Sequence, residues 1–212
     1  MIILSHRGYW KEPAEKNTKA AFERSFSLGF GTETDVRDCD GKLVISHDMA
    51  GQDAMPAENF FEIYRSFRQP LPLALNIKAD GLQLELKALL RQFEIDNYFV
   101  FDMAVPDALL YIHHGFTTFT RHSEFEPTPP YYELAQGVWL DEFKEHWLTD
   151  TVIEKHLAHG KSVCIVSPDL HRRDNKREWE HYQQLEARIG RDRVMLCTDF
   201  PEEAQEFFNG KD

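Results

Sequence analysis

Apolar residues gather into short runs at 2–4, 43–45, 71–77, 98–101, 117–119, 138–140, 163–166 and 194–197, each rich in β-branched, aromatic or leucine residues. Runs of this length and composition predict β-strands. The segment 31–37 is a further strand candidate. Between many of these runs lie segments with helical spacing: Ala21, Phe22, Ser25 and Phe26; Leu82, Leu86, Leu89 and Leu90; Val152, Ile153, His156 and Leu157; Trp179, Tyr182, Leu185 and Ile189. The stripe Phe60, Phe61, Tyr64 and Phe67 reads as a helix face that packs onto a sheet rather than onto a membrane.

Strands alternating with helices along a whole chain predict right-handed βαβ units around a mainly parallel sheet, covered on both faces. An open doubly wound sheet and a closed barrel both satisfy that pattern. The number of strand candidates favours the barrel, with one candidate left over as a hairpin partner, and Asp40-Gly41 between 31–37 and 43–45 is the matching turn signal. The predicted fold is therefore α/β, a single TIM-type (β/α) barrel occupying residues 1–212, near the lower size limit of about 200 residues for such a barrel. No linker or internal repeat marks a domain boundary, and the proline-rich stretch 126–130 reads as one loop.

Composition narrows the partners. A formal net charge of -12 argues against general affinity for nucleic acid or anionic membrane, since both require a basic surface. Only residues 1–4 are apolar at the start, too few for a secretory or membrane-spanning segment, so a cytoplasmic protein without stable membrane association is expected. Cys39, Cys164 and Cys197 show no metal or disulfide spacing and are expected as buried thiols.

The chemistry is concentrated near the start. Glu33 and Asp35 are two apart in a strand, so both carboxylates emerge on one face; if that face is buried, a proton, a basic neighbour or a metal ion must relieve their repulsion. A solvated edge strand is the alternative. His6-Arg7 follows directly on one apolar run and His47-Asp48 on another, and barrel enzymes draw their working residues from strand C-termini. Asp102 and Asp199 read chiefly as helix caps. Arg121, His122 and Glu124 follow another strand, as do the loop arginines Arg172 and Arg173, which are candidates for a second anionic group of a substrate. Trp139 and Trp147 are expected to be buried.

Ser5-His6-Arg7-Gly8, Glu15-Lys16-Asn17-Thr18 with Ala21-Phe22, Glu33-Thr34-Asp35-Val36, Asp40-Gly41-Lys42-Leu43-Val44 and His47-Asp48 together resemble the opening of the glycerophosphodiester phosphodiesterase family. Farther on, Leu75-Asn76-Ile77-Lys78 is similar to the family's strand bearing a metal carboxylate and a lysine, and Thr198-Asp199-Phe200-Pro201 to its closing TDxP. The phosphoinositide-specific phospholipases C are wider relatives. The resemblance implies that His6 and His47 form an acid/base pair, that Arg7 and Lys78 hold the phosphate, and that Glu33, Asp35 and Asn76 bind a divalent cation, Mg²⁺ or Ca²⁺. It further implies that a hydroxyl of the substrate can attack first, through a cyclic phosphate. Two departures stand out: Pro13-Ala14-Glu15-Lys16-Asn17-Thr18 lengthens the family's PENT, and Asn76 replaces a third carboxylate, with Asp102 as the substitute ligand to consider.

The implied function is metal-dependent hydrolysis of a glycerophosphodiester or related small phosphodiester. Phospholipase-like cleavage of a lipid or polyol phosphodiester and a non-catalytic phosphate-binding barrel are the alternatives. Nothing in the sequence specifies the oligomeric state.

Overall fold

The computed structural model of the protein describes residues 1–210. Eight parallel strands close into a barrel: β1 (Ile2–His6), β2 (Gly31–Cys39), β5 (Leu73–Ile77), β6 (Tyr98–Phe101), β7 (Phe119–His122), β8 (Gly137–Leu140), β9 (Ser162–Val166) and β10 (Val194–Thr198), with β10 returning to β1. Between β6 and β7 the ring closes through the bridge Val100↔Thr118, where Val100 N donates to Thr117 O at 2.9 Å. Residues 117–119, predicted as a strand, thus supply that bridge, while the regular strand lies slightly later.

The leftover strand is where the turn signal placed it. Asp40 and Gly41 both take positive φ, 49° and 74°, as a tight hairpin turn requires, and β3 (Lys42–Ile45) folds back antiparallel on β2 with Val36 opposite Ile45. A short β4 (Met55–Pro56) extends this ribbon.

Among the described residues seven α-helices surround the barrel: α1 (Lys19–Ser27), α2 (Ala57–Ser66), α3 (Gln83–Gln92), α4 (Val105–His113), α5 (Asp150–Ala158), α6 (Lys176–Ile189) and α7 (Pro201–Asn209). Helices α4 and α7, each with proline in the first turn, are additions to the predicted set. No helix among the described residues is long and apolar enough to cross a membrane. After β7 the helix is missing. Residues 123–136 run over the gap, and Tyr131 and Tyr132 fill it by packing against the two outer hydrophobic clusters, one on each side.

The barrel interior is a solid core. Leu4, Ala74, Phe99, Phe101, Phe119, Trp139, Cys164, Val166 and Cys197 fill it, with Phe99 stacked on Phe119 at 3.8 Å and Phe101 on Trp139 at 4.0 Å between ring centroids. Two glycines make room. A Cβ on Gly137 would lie 2.3 Å from the Phe119 ring, and one on Gly31 would lie 2.3 Å from Leu4 Cδ2 and 2.6 Å from the Pro72 carbonyl. That backbone carbonyl cannot swing aside, so Gly31→Ala is expected to cost roughly 2 kcal/mol or more. Urea unfolding of the variant checks this, and an unchanged midpoint would mean the barrel tolerates a displaced β2.

A second test concerns the helix layer. His156 on α5 is buried between His122, whose Nδ1 lies 3.0 Å from its Nε2, and Tyr132, whose hydroxyl lies 2.8 Å from its Nδ1. A neutral ring satisfies both contacts, donating at Nε2 and accepting at Nδ1. Burial, with His122 nearby, pushes the pKa down from the ordinary 6.5 to about 4. Between those pH values the unfolded chain binds more protons than the folded one. The contribution of neutral His156 is therefore present above pH 6.5 and lost as pH falls through 4, amounting to up to about 3 kcal/mol. His156→Phe should flatten the acid limb of a stability-versus-pH curve; an unaltered slope would place the acid sensitivity elsewhere.

Candidate active site

Strand periodicity builds the site. Moving two residues toward the C-terminus from an interior apolar residue keeps the side chain on the interior face, and at that step the chemistry changes: Leu4 to His6, Ala74 to Asn76, Phe119 to Arg121, Trp139 to Asp141, Cys197 to Asp199. Glu33 and Asp35 join this layer from β2. The C-terminal mouth of the barrel is thus ringed by polar and charged groups above an aromatic plug.

At the end of β1 the chain turns sharply. Arg7 has φ +59° and Gly8 φ +77°, and a Cβ on Gly8 would approach Ala21 Cβ to 2.8 Å and its backbone carbon to 2.9 Å, so only glycine lets the loop lie on α1. His6 Nδ1 contacts Asp199 Oδ1 at 2.7 Å, and its Nε2 lies 3.9 Å from Glu33 Oε2. Asp199 does not act as the helix cap predicted for it; the start of α7 has no side-chain cap, and the carboxylate orients His6 instead. Asp169 accepts from the Asp199 backbone N–H at 2.8 Å and from Thr198 Oγ1 at 3.0 Å, which fixes the loop that carries Asp199.

Asp35 is the hub on the other side. It is fully buried and accepts from Asn17 Nδ2 at 2.8 Å, while Arg7 Nε approaches at 3.1 Å and Lys78 Nζ at 3.4 Å. The Arg7 contact is an ion pair off the hydrogen-bond direction. Asn17, in the lengthened segment after Arg7, is in turn held by Thr34 Oγ1 at 2.9 Å. Glu33 accepts from the Arg7 backbone N–H at 3.2 Å. Burial and the neighbouring Asp35 charge push its pKa up to about 7, against the pull of His6, Arg7 and Lys78.

His47 reaches the same mouth by a different route from the one its sequence position suggested. It follows β3, which is not a barrel strand but the returning arm of the hairpin, and the bond from Ser46 N to Asp35 O at 3.0 Å brings it down to the level of the site. Arg7, Lys16, Asn17 and His47 line one surface groove. The His47 ring is 43% exposed, with Nδ1 at 2.8 Å from the exposed Asp48, whereas His6 is 14% exposed. His6 is therefore the more firmly held of the two imidazoles.

Glu33, Asp35 and Asn76 offer three oxygen donors. Register places Asn76 directly beside Asp35 on the neighbouring strand, and Asn76 Oδ1 and Asp35 Oδ1 are both buried without a hydrogen-bond partner. Adjacent oxygens of this kind, one without a partner and the other facing only the Lys78 ammonium at 3.4 Å, fit a hard cation. Among the described residues no three His, Cys, Asp or Glu side chains form a metal cluster, and the third oxygen here is that of an amide. Asp102 is not free to replace it. It pairs with Arg121 at 2.7 Å and Lys78 at 3.7 Å, and it does not cap α4.

The remaining candidates separate cleanly. Arg121 points into the mouth, bound to Asp102 and Glu126. His122 points outward to His156, and Glu124 accepts from the backbone N–H groups of Phe143 and Lys144, tying two loops together. Arg173 is committed to Glu178 at 2.8 Å and to the Glu142 carbonyl at 2.6 Å, so it braces a loop, while Arg172 is exposed. Trp139 is buried as expected, Trp147 half so. Cys164 and Cys197 lie in the barrel interior, where burial pushes both thiols up; Cys39 is only partly buried.

This mouth sits on the barrel fold that glycerophosphodiester phosphodiesterases share with a phosphatidylinositol-specific phospholipase C. No protein-family model and no curated protein matches the sequence. Solved structures share its fold. A protein of Galdieria sulphuraria assigned to the glycerophosphodiester phosphodiesterases superposes with a TM-score of 0.77 at 18% identity, over 98% of this chain and 97% of its own. An Oleispira antarctica phosphodiesterase, solved with its product sn-glycerol-3-phosphate, gives 0.68 at 16% identity over 99% and 97%. The Ca²⁺-dependent phosphatidylinositol-specific phospholipase C of Streptomyces antibioticus gives 0.63 at 10% identity over 97% and 95%.

Proposed function

We propose that the protein hydrolyses a glycerophosphodiester or a closely related small phosphodiester at this mouth. The observation that carries the reading is the convergence of a carboxylate-held imidazole, His6, with the Arg7, Lys78, Glu33 and Asp35 cluster at the C-terminal end of one barrel. A phosphodiester presents two demands. Its non-bridging oxygens need positive charge, and its leaving alkoxide needs a proton.

Arg7 and Lys78 meet the first demand. Neither terminal nitrogen of the Arg7 guanidinium has a hydrogen-bonded protein partner among the described residues, so both are available to a phosphate. Asp35 holds the two cations together by pairing with each. A divalent cation, Mg²⁺ or Ca²⁺, on the oxygens of Glu33, Asp35 and Asn76 would supply further charge opposite a non-bridging oxygen.

His6 and His47 meet the second demand. Donation of the His6 Nδ1 proton to Asp199 leaves Nε2 to exchange a proton with the substrate. His47 presents its own Nε2 from the hairpin side. One ring takes the proton of the attacking oxygen, that of water or of a neighbouring hydroxyl of the substrate, and the ring beside the departing alcohol returns one; where a substrate hydroxyl attacks first, water then opens the cyclic phosphate by the same pair.

Cleavage of bis(p-nitrophenyl) phosphate with Mg²⁺, with Ca²⁺ and with chelator tests the assignment. Release of p-nitrophenol that depends on the added cation is expected. Binding of sn-glycerol-3-phosphate with no turnover of any diester would leave a phosphate-binding barrel instead.

A further inference from the structure

Across the mouth from β2 another imidazole is held by a carboxylate. Asp141, the next inward position after Trp139 on β8, is buried, and its Oδ1 lies 2.6 Å from Nε2 of His171. His171 ends the short 3₁₀ turn Pro168–His171 that follows β9. The same turn carries Asp169, which holds the backbone of Asp199, whose carboxylate holds His6. One short network therefore positions both imidazoles on the β8–β1 flank of the mouth.

The surroundings of His171 have a definite character. The Phe143 ring lies against it at 4.9 Å between centroids and against Phe125 at 5.8 Å, with Phe125 59% exposed. Glu124 clamps the backbone of Phe143 to the β7 loop, and the Arg121 guanidinium lies 5.6 Å from the centre of that ring. Burial works against the Arg121 charge, but Glu126, Asp102 and Asp141 outweigh it, so this arginine stays paired. The flank presents an aromatic wall with one imidazole edge.

From this geometry we infer that His171, positioned by Asp141, forms a subsite with Phe143 and Phe125 for a hydroxyl-bearing alcohol arm of the diester, a proposal that rests on the phosphodiester reading. The chemistry follows from the tautomer. With the Nε2 proton donated to the Asp141 carboxylate, the neutral ring offers a lone pair at Nδ1, and that atom has no protein partner among the described residues. It accepts a hydrogen bond from an O–H. The phenyl rings cover the C–H face of the same arm. His171 is 23% exposed, so water can reach this edge in the free protein; an alkyl arm that covers Nδ1 displaces that water without replacing its hydrogen bond, which penalises the substrate.

Two diesters that share a p-nitrophenyl leaving group and differ in the other arm, glyceryl or methyl, give the readout; because the methyl arm also lacks a hydroxyl that could attack phosphorus, the change in their ratio on substitution at His171, carried by KM, is what reports the subsite. The wild type is expected to favour the glyceryl diester. His171→Phe, which keeps the packing on Phe143 and removes Nδ1, should lower the glyceryl-to-methyl ratio of kcat/KM by about tenfold or more, mainly through KM for the glyceryl substrate. Asp141→Asn should shift the ratio the same way by a smaller factor, with thermal melting confirming that both variants fold. An unaltered ratio in both folded variants overturns the subsite. If the wild type cleaves neither diester, the phosphodiester reading itself has failed. Calorimetric titration then compares sn-glycerol-3-phosphate with methyl phosphate: a preference lost in His171→Phe supports the subsite, and identical affinities in wild type and variant reject it.

Discussion

Replacing His6 with Ala is expected to lower kcat on a phosphodiester by about 10²- to 10⁴-fold, as loss of a positioned proton-transfer group does, while the thermal midpoint stays within a few degrees of wild type. His6 is partly exposed at the mouth and does not belong to the interior core, so its removal leaves the aromatic plug intact. Asp199 acts through it. Asp199→Asn keeps the shape but replaces the carboxylate acceptor of the Nδ1 proton, and a smaller loss of kcat with a displaced pH profile is expected. Steady-state kinetics alongside circular-dichroism melting check both. Wild-type turnover in the folded His6 variant would remove this imidazole from the chemistry and leave His47 without a partner.

Asn76→Asp should have opposite effects on the metal-bound and metal-free protein. The new carboxylate stands beside Asp35 in register and close to Glu33, so it adds repulsion that Arg7 and Lys78 only partly offset. At the effective dielectric of such sites a like charge a few ångströms away costs about 2 kcal/mol or more, which should appear as a lower unfolding midpoint in chelator. A divalent cation relieves that repulsion. Calorimetric titration with Ca²⁺ and Mg²⁺ should therefore show at least about tenfold tighter binding than wild type. Equal affinity in variant and wild type would exclude position 76 as a donor. Asp102 is a poor replacement because Arg121 and Lys78 already hold it.

Much of the barrel was legible because its signals are local. Short apolar runs, the Asp40-Gly41 turn and the spacing of Glu33 and Asp35 are all properties of a few consecutive residues. What escaped depends on contacts between distant parts of the chain. Asp199 reads as a cap until the barrel closes β10 against β1 and brings it to His6, and Asp102 reads likewise until Arg121 arrives from β7. Arg173 looks like a free cation in a basic loop until Glu178, on the helix behind it, takes the charge. The proline-rich stretch 126–130, by contrast, was legible as one loop, and it lies in the segment that joins β7 to β8 without a helix. His47 is the instructive case: the strand before it is antiparallel, so its arrival at the mouth follows from the hairpin and not from the end of a barrel strand.

Asp141 and His171 illustrate the same limit at the mouth. Each follows a strand, yet nothing local joins them, and only the barrel brings β8 and the turn after β9 within 2.6 Å. The inward alternation that changes from apolar to polar at one step offers the missing signal. Applied to Trp139-Leu140-Asp141, it marks Asp141 as a mouth residue from sequence alone.

Phosphorus-31 NMR of a glycerophosphodiester incubated with the purified protein and a divalent cation tests the proposed reaction most directly, because diester and monoester phosphorus resonate apart. Conversion of the diester signal to that of glycerol phosphate, absent in the His6→Ala variant, is the expected result; a diester signal that persists unchanged with Mg²⁺ and with Ca²⁺ would contradict hydrolysis at this site.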